Sequence, residues 1–164
     1  MSGRGEPVRY NSYMVRPENL EPGEPRNLST DQPLIIPCDE NIRLLGTSAD
    51  VLHCFSAPRL GVKFDTVPGR LNVVHVRVEE PGTFYGQCSE LCGRGHSFMP
   101  IQVTSVPLEE YIDCISSVKK LERVPQETSA AQSTAEVTME VEDDLEAEQE
   151  VLREILRVLV TFTL

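Results

Sequence analysis

A chain of 164 residues has room for one well-buried core, and a formal net charge of −11 with no Trp argues against nucleic acid as a partner. No run of about twenty apolar residues occurs, so nothing in the sequence reads as a membrane span. The acidity is uneven: from Pro125 onward ten acids face only Arg153 and Arg157, so eight of the eleven net negative charges lie there and three in residues 1–124.

Residues 1–30 are rich in Pro, Gly, Asn and Glu and read as an irregular lead-in with one short strand near Tyr13 to Val15. From there the pattern changes. Short β-branched or aromatic runs follow at Pro33 to Pro37, Ile42 to Leu45, Val51 to Phe55, Val73 to Val78, Thr83 to Tyr85 and Ile101 to Thr104, separated by Gly, Pro, Asp and Asn. That spacing predicts an all-β sandwich or barrel. In the longest run Val74, Val76 and Val78 alternate with Val73, His75 and Arg77, as a half-buried strand requires.

Pro107 suits the first turn of a short closing helix, in which Leu108, Tyr111, Ile112, Ile115 and Val118 recur at three- and four-residue spacing. Residues 122–138 read as a linker by composition. Residues 139–164 read as an acidic amphipathic helical extension, with Val141, Leu145, Leu152, Leu156 and Leu159 as its apolar stripe. The bland alternative is a solvated tail.

Five cysteines are an odd number without the density of a disulfide scaffold. Cys38, Cys54 and Cys114 read as small buried hydrophobes. Cys88 and Cys92 belong to the segment from Gln87 to Pro100, which also carries His96 and Met99 on a loop interrupted by Gly93 and Gly95. Thiolate, imidazole and thioether together select a soft metal and favour copper. A structural zinc site is the generic alternative, though closed zinc sites gain nothing from Met99. A catalytic Cys-His pair would leave the second thiol and Met99 unexplained. Taken alone, His53 is more often a satisfied core histidine than a ligand.

The strings Asp50 to His53, Pro58 to Gly61, Val67 to Asn72, Phe84 to Gly93 and His96 to Ile101 together resemble the copper-binding domain of cytochrome c oxidase subunit II. The resemblance runs from about Asn11 to about Leu121. It implies a cupredoxin-like β-barrel over residues 31–121 with a dinuclear copper centre, CuA. Cys88 and Cys92 would bridge two copper ions, His53 and His96 would each bind one, and Met99 and the backbone carbonyl of Glu90 would be weak ligands. The Glu90 carboxylate would reach a magnesium or manganese ion at the contact with subunit I. Asp31 and Asp50 match acidic positions on the cytochrome c side; each alone is an ordinary turn residue.

The implied function is electron entry. The subunit would accept electrons from reduced cytochrome c and pass them to haem a of subunit I, at the mitochondrial inner membrane on the intermembrane-space side. The chain lacks the family's transmembrane hairpin and an early strand of the barrel, so the resemblance implies the carboxyl half of a split subunit II. A membrane-anchored other half would complete a sheet edge left open. Readings from other classes are a copper-free structural subunit and a small zinc-binding module.

Overall fold

The computed structural model describes residues 8–122, 134–140 and 156–163. Ten strands and one α-helix follow one another in the order β1 (Val8–Ser12), β2 (Leu34–Pro37), β3 (Ile42–Ser48), β4 (His53–Ala57), β5 (Val62–Thr66), β6 (Asn72–Val76), β7 (Gly82–Gln87), β8 (Pro100–Val106), α1 (Leu108–Glu122), β9 (Thr134–Glu140) and β10 (Leu156–Thr163). One sheet has the order β1-β9-β10-β3-β6; the others are β2-β8-β7 and the pair β4-β5. The mainly β architecture agrees with the expected sandwich. No helix among the described residues is long and apolar enough to cross a membrane.

Alternation builds the core. Val76 and Val78 are buried while Val73, His75 and Arg77 are exposed, so the run from Val73 divides between two faces as its pattern requires. Leu34 and Ile36 from β2, Ile42 and Leu44 from β3, Phe55 and Ala57 from β4, and Ile101 and Val103 from β8 meet in one cluster. Phe55 stacks on Phe64 of β5 with ring centroids 5.4 Å apart. Cys88, Cys92 and Met99 belong to the same cluster, so the loop that carries them is rooted in the core.

Helix α1 begins with the Tyr111 amide donating to the Pro107 carbonyl at 2.9 Å, as a proline at the helix start allows. Tyr111 and Ile115 are buried four residues apart, whereas Ile112 is 53% exposed and departs from the expected stripe. The contact face is narrower than the sequence periodicity suggested.

Three expectations need correction. The first strand lies at Val8–Ser12, and Met14 forms only an isolated bridge to Thr30. Strand β5 was not anticipated, because Lys63 and Asp65 dilute its apolar content; Val62, Phe64 and Thr66 nonetheless alternate with them. Most consequential, the expected linker and helical tail contain strands, β9 and β10, while residues 123–133 and 141–155 lie outside the described residues. Strand β10 runs parallel to β3, with Leu156 opposite Ile42 and Phe162 opposite Ser48. One edge of β3 is thus paired from within the chain. The deciding term is tertiary: a helix would leave the edge of β3 unpaired, whereas a strand there satisfies both partners.

Candidate metal centre

The site forms where β4 meets the loop after β7. Two features draw them together. The Ser89 amide donates to the Cys54 carbonyl at 3.1 Å, joining the loop to β4. Gly86, two residues before Cys88, lies against the β4 backbone so closely that a Cβ there would overlap the Ser56 carbonyl. The loop is closed at its base by the Cys88 amide donating to the Met99 carbonyl at 3.1 Å. Gly93, at φ 130, supplies a backbone conformation that other residues rarely adopt. A short 3₁₀ turn, His96–Phe98, then returns the chain to β8.

Six donors converge. Cys88 Sγ lies 4.0 Å from Cys92 Sγ. Around the first sulfur, His53 Nδ1 stands at 3.9 Å and the Glu90 carbonyl at 3.3 Å. Around the second, His96 Nδ1 stands at 3.5 Å and Met99 Sδ at 3.5 Å. Each thiol is therefore flanked by one imidazole nitrogen and one weak donor. The ligand atoms of His53, Cys88 and Cys92 all fall within 4.8 Å of one another. His53 is fully buried, Cys88, Cys92 and Met99 are buried, and His96 is half-buried at the mouth.

The donor chemistry fits copper. A closed zinc site uses four ligands in a tetrahedron, and this arrangement offers six, including a thioether. Soft sulfur with imidazole is the set that copper prefers, and two sulfurs between two nitrogens provide for a pair of ions. Burial pushes the Cys92 thiol up to about 12, with the neighbouring Cys88 adding to the shift. Without metal the Cys92 sulfur thus holds its proton at neutral pH, and a bound cation would have to displace it.

Asp50 supplies what the sequence reading did not assign. Its Oδ1 lies 2.8 Å from His53 Nε2 and also accepts from Ser48 Oγ at 3.0 Å and from the Val51 amide at 2.7 Å. With Nε2 donating to that carboxylate, Nδ1 keeps its lone pair toward Cys88. The three-residue spacing from Asp50 to His53 was the available signal. Asp31 lies away from this cluster in contact terms: its Oδ1 accepts from the amides of Tyr13 and Gln32, both at 2.7 Å, and fixes the turn before β2. Glu90 is exposed and directs only its carbonyl to Cys88. Leu91, next to it, is 78% exposed.

Residues 3–106 match the family described as cytochrome c oxidase subunit II, periplasmic domain. Among curated relatives, cytochrome c oxidase subunit 2 of Schizosaccharomyces pombe is 50% identical over 112 residues, covering 68% of this chain and 45% of that protein. The subunit 2 of Mycosarcoma maydis is 49% identical over 113 residues, covering 69% and 44%. The chain thus spans about half the length of the curated relatives it matches. The crystal structure of the periplasmic domain of subunit II (CoxB) of Bradyrhizobium japonicum superposes with a TM-score of 0.63 at 40% identity, covering 68% of this chain and 78% of that one.

Proposed function

Because the chain belongs to the cytochrome c oxidase subunit II family, through that family's periplasmic domain, we propose that it is the electron-entry copper domain of the oxidase. The observation that carries the reading is the paired environment of the two sulfurs, each beside one histidine Nδ1 and one weak donor. Cys88 and Cys92 would hold two copper ions between them, with His53, His96, Met99 and the Glu90 carbonyl completing the shells. Bound there, such a pair supplies one-electron transfer with little change in bond length, because the unpaired electron is shared. The protein's part is to fix the donors beforehand: β4 and β8 belong to a packed core, so the ligands need not rearrange between oxidation states.

The chain would accept electrons from reduced cytochrome c and pass them to haem a of subunit I. Its negative charge suits a basic redox partner, attracted at a rate that falls with salt. Asp31 and Asp50 would face cytochrome c. The exposed Glu90 carboxylate is free in direction to take a magnesium or manganese ion at the contact with subunit I, a hard oxygen ligand beside a soft sulfur site. The curated relatives include fungal subunit 2 proteins, which supports placement at the mitochondrial inner membrane on the intermembrane-space side. A membrane-anchored other half of subunit II would tether the domain.

Metal analysis with spectroscopy tests this. Copper-loaded protein should hold two copper ions, appear purple and give a multi-line resonance signal from one electron shared by two nuclei. Cys88→Ser or Cys92→Ser should abolish that signal. A single bound ion, zinc in preference to copper, or a spectrum indifferent to either substitution would overturn the assignment.

A further inference from the structure

The chain beyond α1 lies outside the residues that match the family, yet β9 and β10 occupy the centre of the largest sheet. We propose that β9 and β10 act as an intramolecular strand donor: the antiparallel pair closes the sheet between β1 and β3 and, through β3, holds the candidate metal centre in place.

The register carries the argument. In β9, Ala135, Val137 and Met139 alternate with Thr134, Glu136, Thr138 and Glu140; in β10, Leu156, Val158, Val160 and Phe162 alternate with Arg157, Leu159, Thr161 and Thr163. Pairing places Val158 opposite both Met139 and Leu44, and Val160 opposite Val137 and Gly46. On the far side Met139 stands opposite Val8 and Val137 opposite Tyr10. Two rows therefore cross the sheet, Val8–Met139–Val158–Leu44–Val74 and Tyr10–Val137–Val160–Gly46–Asn72, and they include Leu44 and Tyr10, both packed in or against the core.

The intervening positions are mostly polar, and Arg157 lies opposite Glu140. A slip of one residue in either strand would move Thr138 and Glu136, or Arg157 and Thr161, into register with Leu44 and Tyr10. Three successive ladders agree in parity. A solvated tail has no reason to be patterned this way.

The antiparallel pair also reaches the site. At its far end Phe162 is in register with Ser48, the last residue of β3. Ser48 Oγ donates to Asp50 Oδ1 at 3.0 Å, and that carboxylate orients His53 at 2.8 Å. Without β10 this end of β3, beyond its ladder with β6, would keep only the Ser48 bridge to Pro68 as backbone pairing, and its fraying would loosen the carboxylate that selects the His53 tautomer.

The test is amide hydrogen exchange on the full chain and on two variants. Val160→Pro removes a ladder donor from a strand paired on both sides. It should accelerate exchange at Leu44 to Ser48 and at Val8 to Ser12 by about tenfold or more, while a Val160→Thr control, which keeps the backbone donor and the β-branched shape, does not. Should Val160→Pro unfold the whole domain while the control stays folded, the strand pair is required for the fold and the proposal stands. Arg157→Glu, which sets like charges opposite one another, should lower the unfolding midpoint, and adding Glu140→Arg should restore it. Unchanged exchange at β3 in Val160→Pro, or a double charge swap no better than the single, would overturn the proposal. Because exchange at β3 is read without metal, these outcomes are independent of whether the site binds copper. Copper affinity of Val160→Pro protein that remains folded should fall by about tenfold or more, and unaltered affinity would refute the link to the site.

Discussion

Asp50 Oδ1 sits 2.8 Å from His53 Nε2, on the side of the ring opposite Cys88, and so fixes which nitrogen of a fully buried histidine is available to a metal. A carboxylate outside the proposed ligand set thus orients a histidine inside it. Such supporting contacts typically change metal affinity by about 10–100-fold.

Asp50→Leu should therefore weaken copper binding by about 10–100-fold in a chelator competition titration. Asp50→Asn should be milder, because its amide oxygen still accepts from Nε2 and from the Ser48 hydroxyl. Equal affinity for Asp50→Leu and the unaltered protein would show that packing alone orients His53.

Gly86 offers a test of how β4 and β7 come together. A methyl group there would overlap the Ser56 carbonyl, a backbone atom that cannot swing aside. Gly86→Ala should cost about 1–3 kcal/mol in denaturant unfolding, the usual range for forced overpacking. It should also part His53 from Cys88, so copper loading would drop in the molecules that stay folded. A neutral substitution would mean that the two strands can separate without loss.

Some of this was legible in the chain and some was not, for physical reasons that differ by element. Val74, Val76 and Val78 announce a half-buried strand because burial on one face writes itself directly into alternation. The loop from Cys88 to Met99 is legible because metal chemistry restricts residue type at each position. Asp50 was visible but was assigned to the surface, since a second contact behind a ligand has no spacing rule as sharp as the ligands themselves. In the tail, Leu145, Leu152, Leu156 and Leu159 suit a helical period, while Val158, Val160 and Phe162 suit a strand; the sequence holds both patterns. The edge of β3 chooses between them, and that edge is more than 100 residues distant in sequence.

Phe55 and Phe64 stack across the β4–β5 pair, and Phe55 follows the candidate ligand His53 by two residues, both buried. Phe55→Ala should cost about 3–5 kcal/mol, the range for emptying a fully buried aromatic site. Thermal unfolding with and without copper would separate its effect on the fold from any effect on the centre. A loss under about 1 kcal/mol would mean that neighbouring side chains collapse into the space.

Alkaline pH should unfold the domain before neutral or mildly acidic pH does. Burial raises the Tyr10 and Tyr111 hydroxyls well above their ordinary value of 10.0. Burial, helped by the hydrogen bond the thiol donates to the Asp65 carboxylate, raises the Cys54 thiol from 9.0 to about 11. Each of these groups is neutral in the folded protein and ionises more readily once unfolded, so the unfolded state loses protons first as pH rises. Their contribution is fully present below the unfolded values, begins to fall near 9 with Cys54, falls further above 10 with the two tyrosines, and is gone once pH passes the folded values. Denaturant midpoints measured from pH 7 to 11 should be flat to about 9 and then decline. Cys54→Ala should lessen the decline between 9 and 11 without removing it, because burial raises the Cys92 thiol over the same range in metal-free protein, and an unchanged slope would exclude Cys54 as a source.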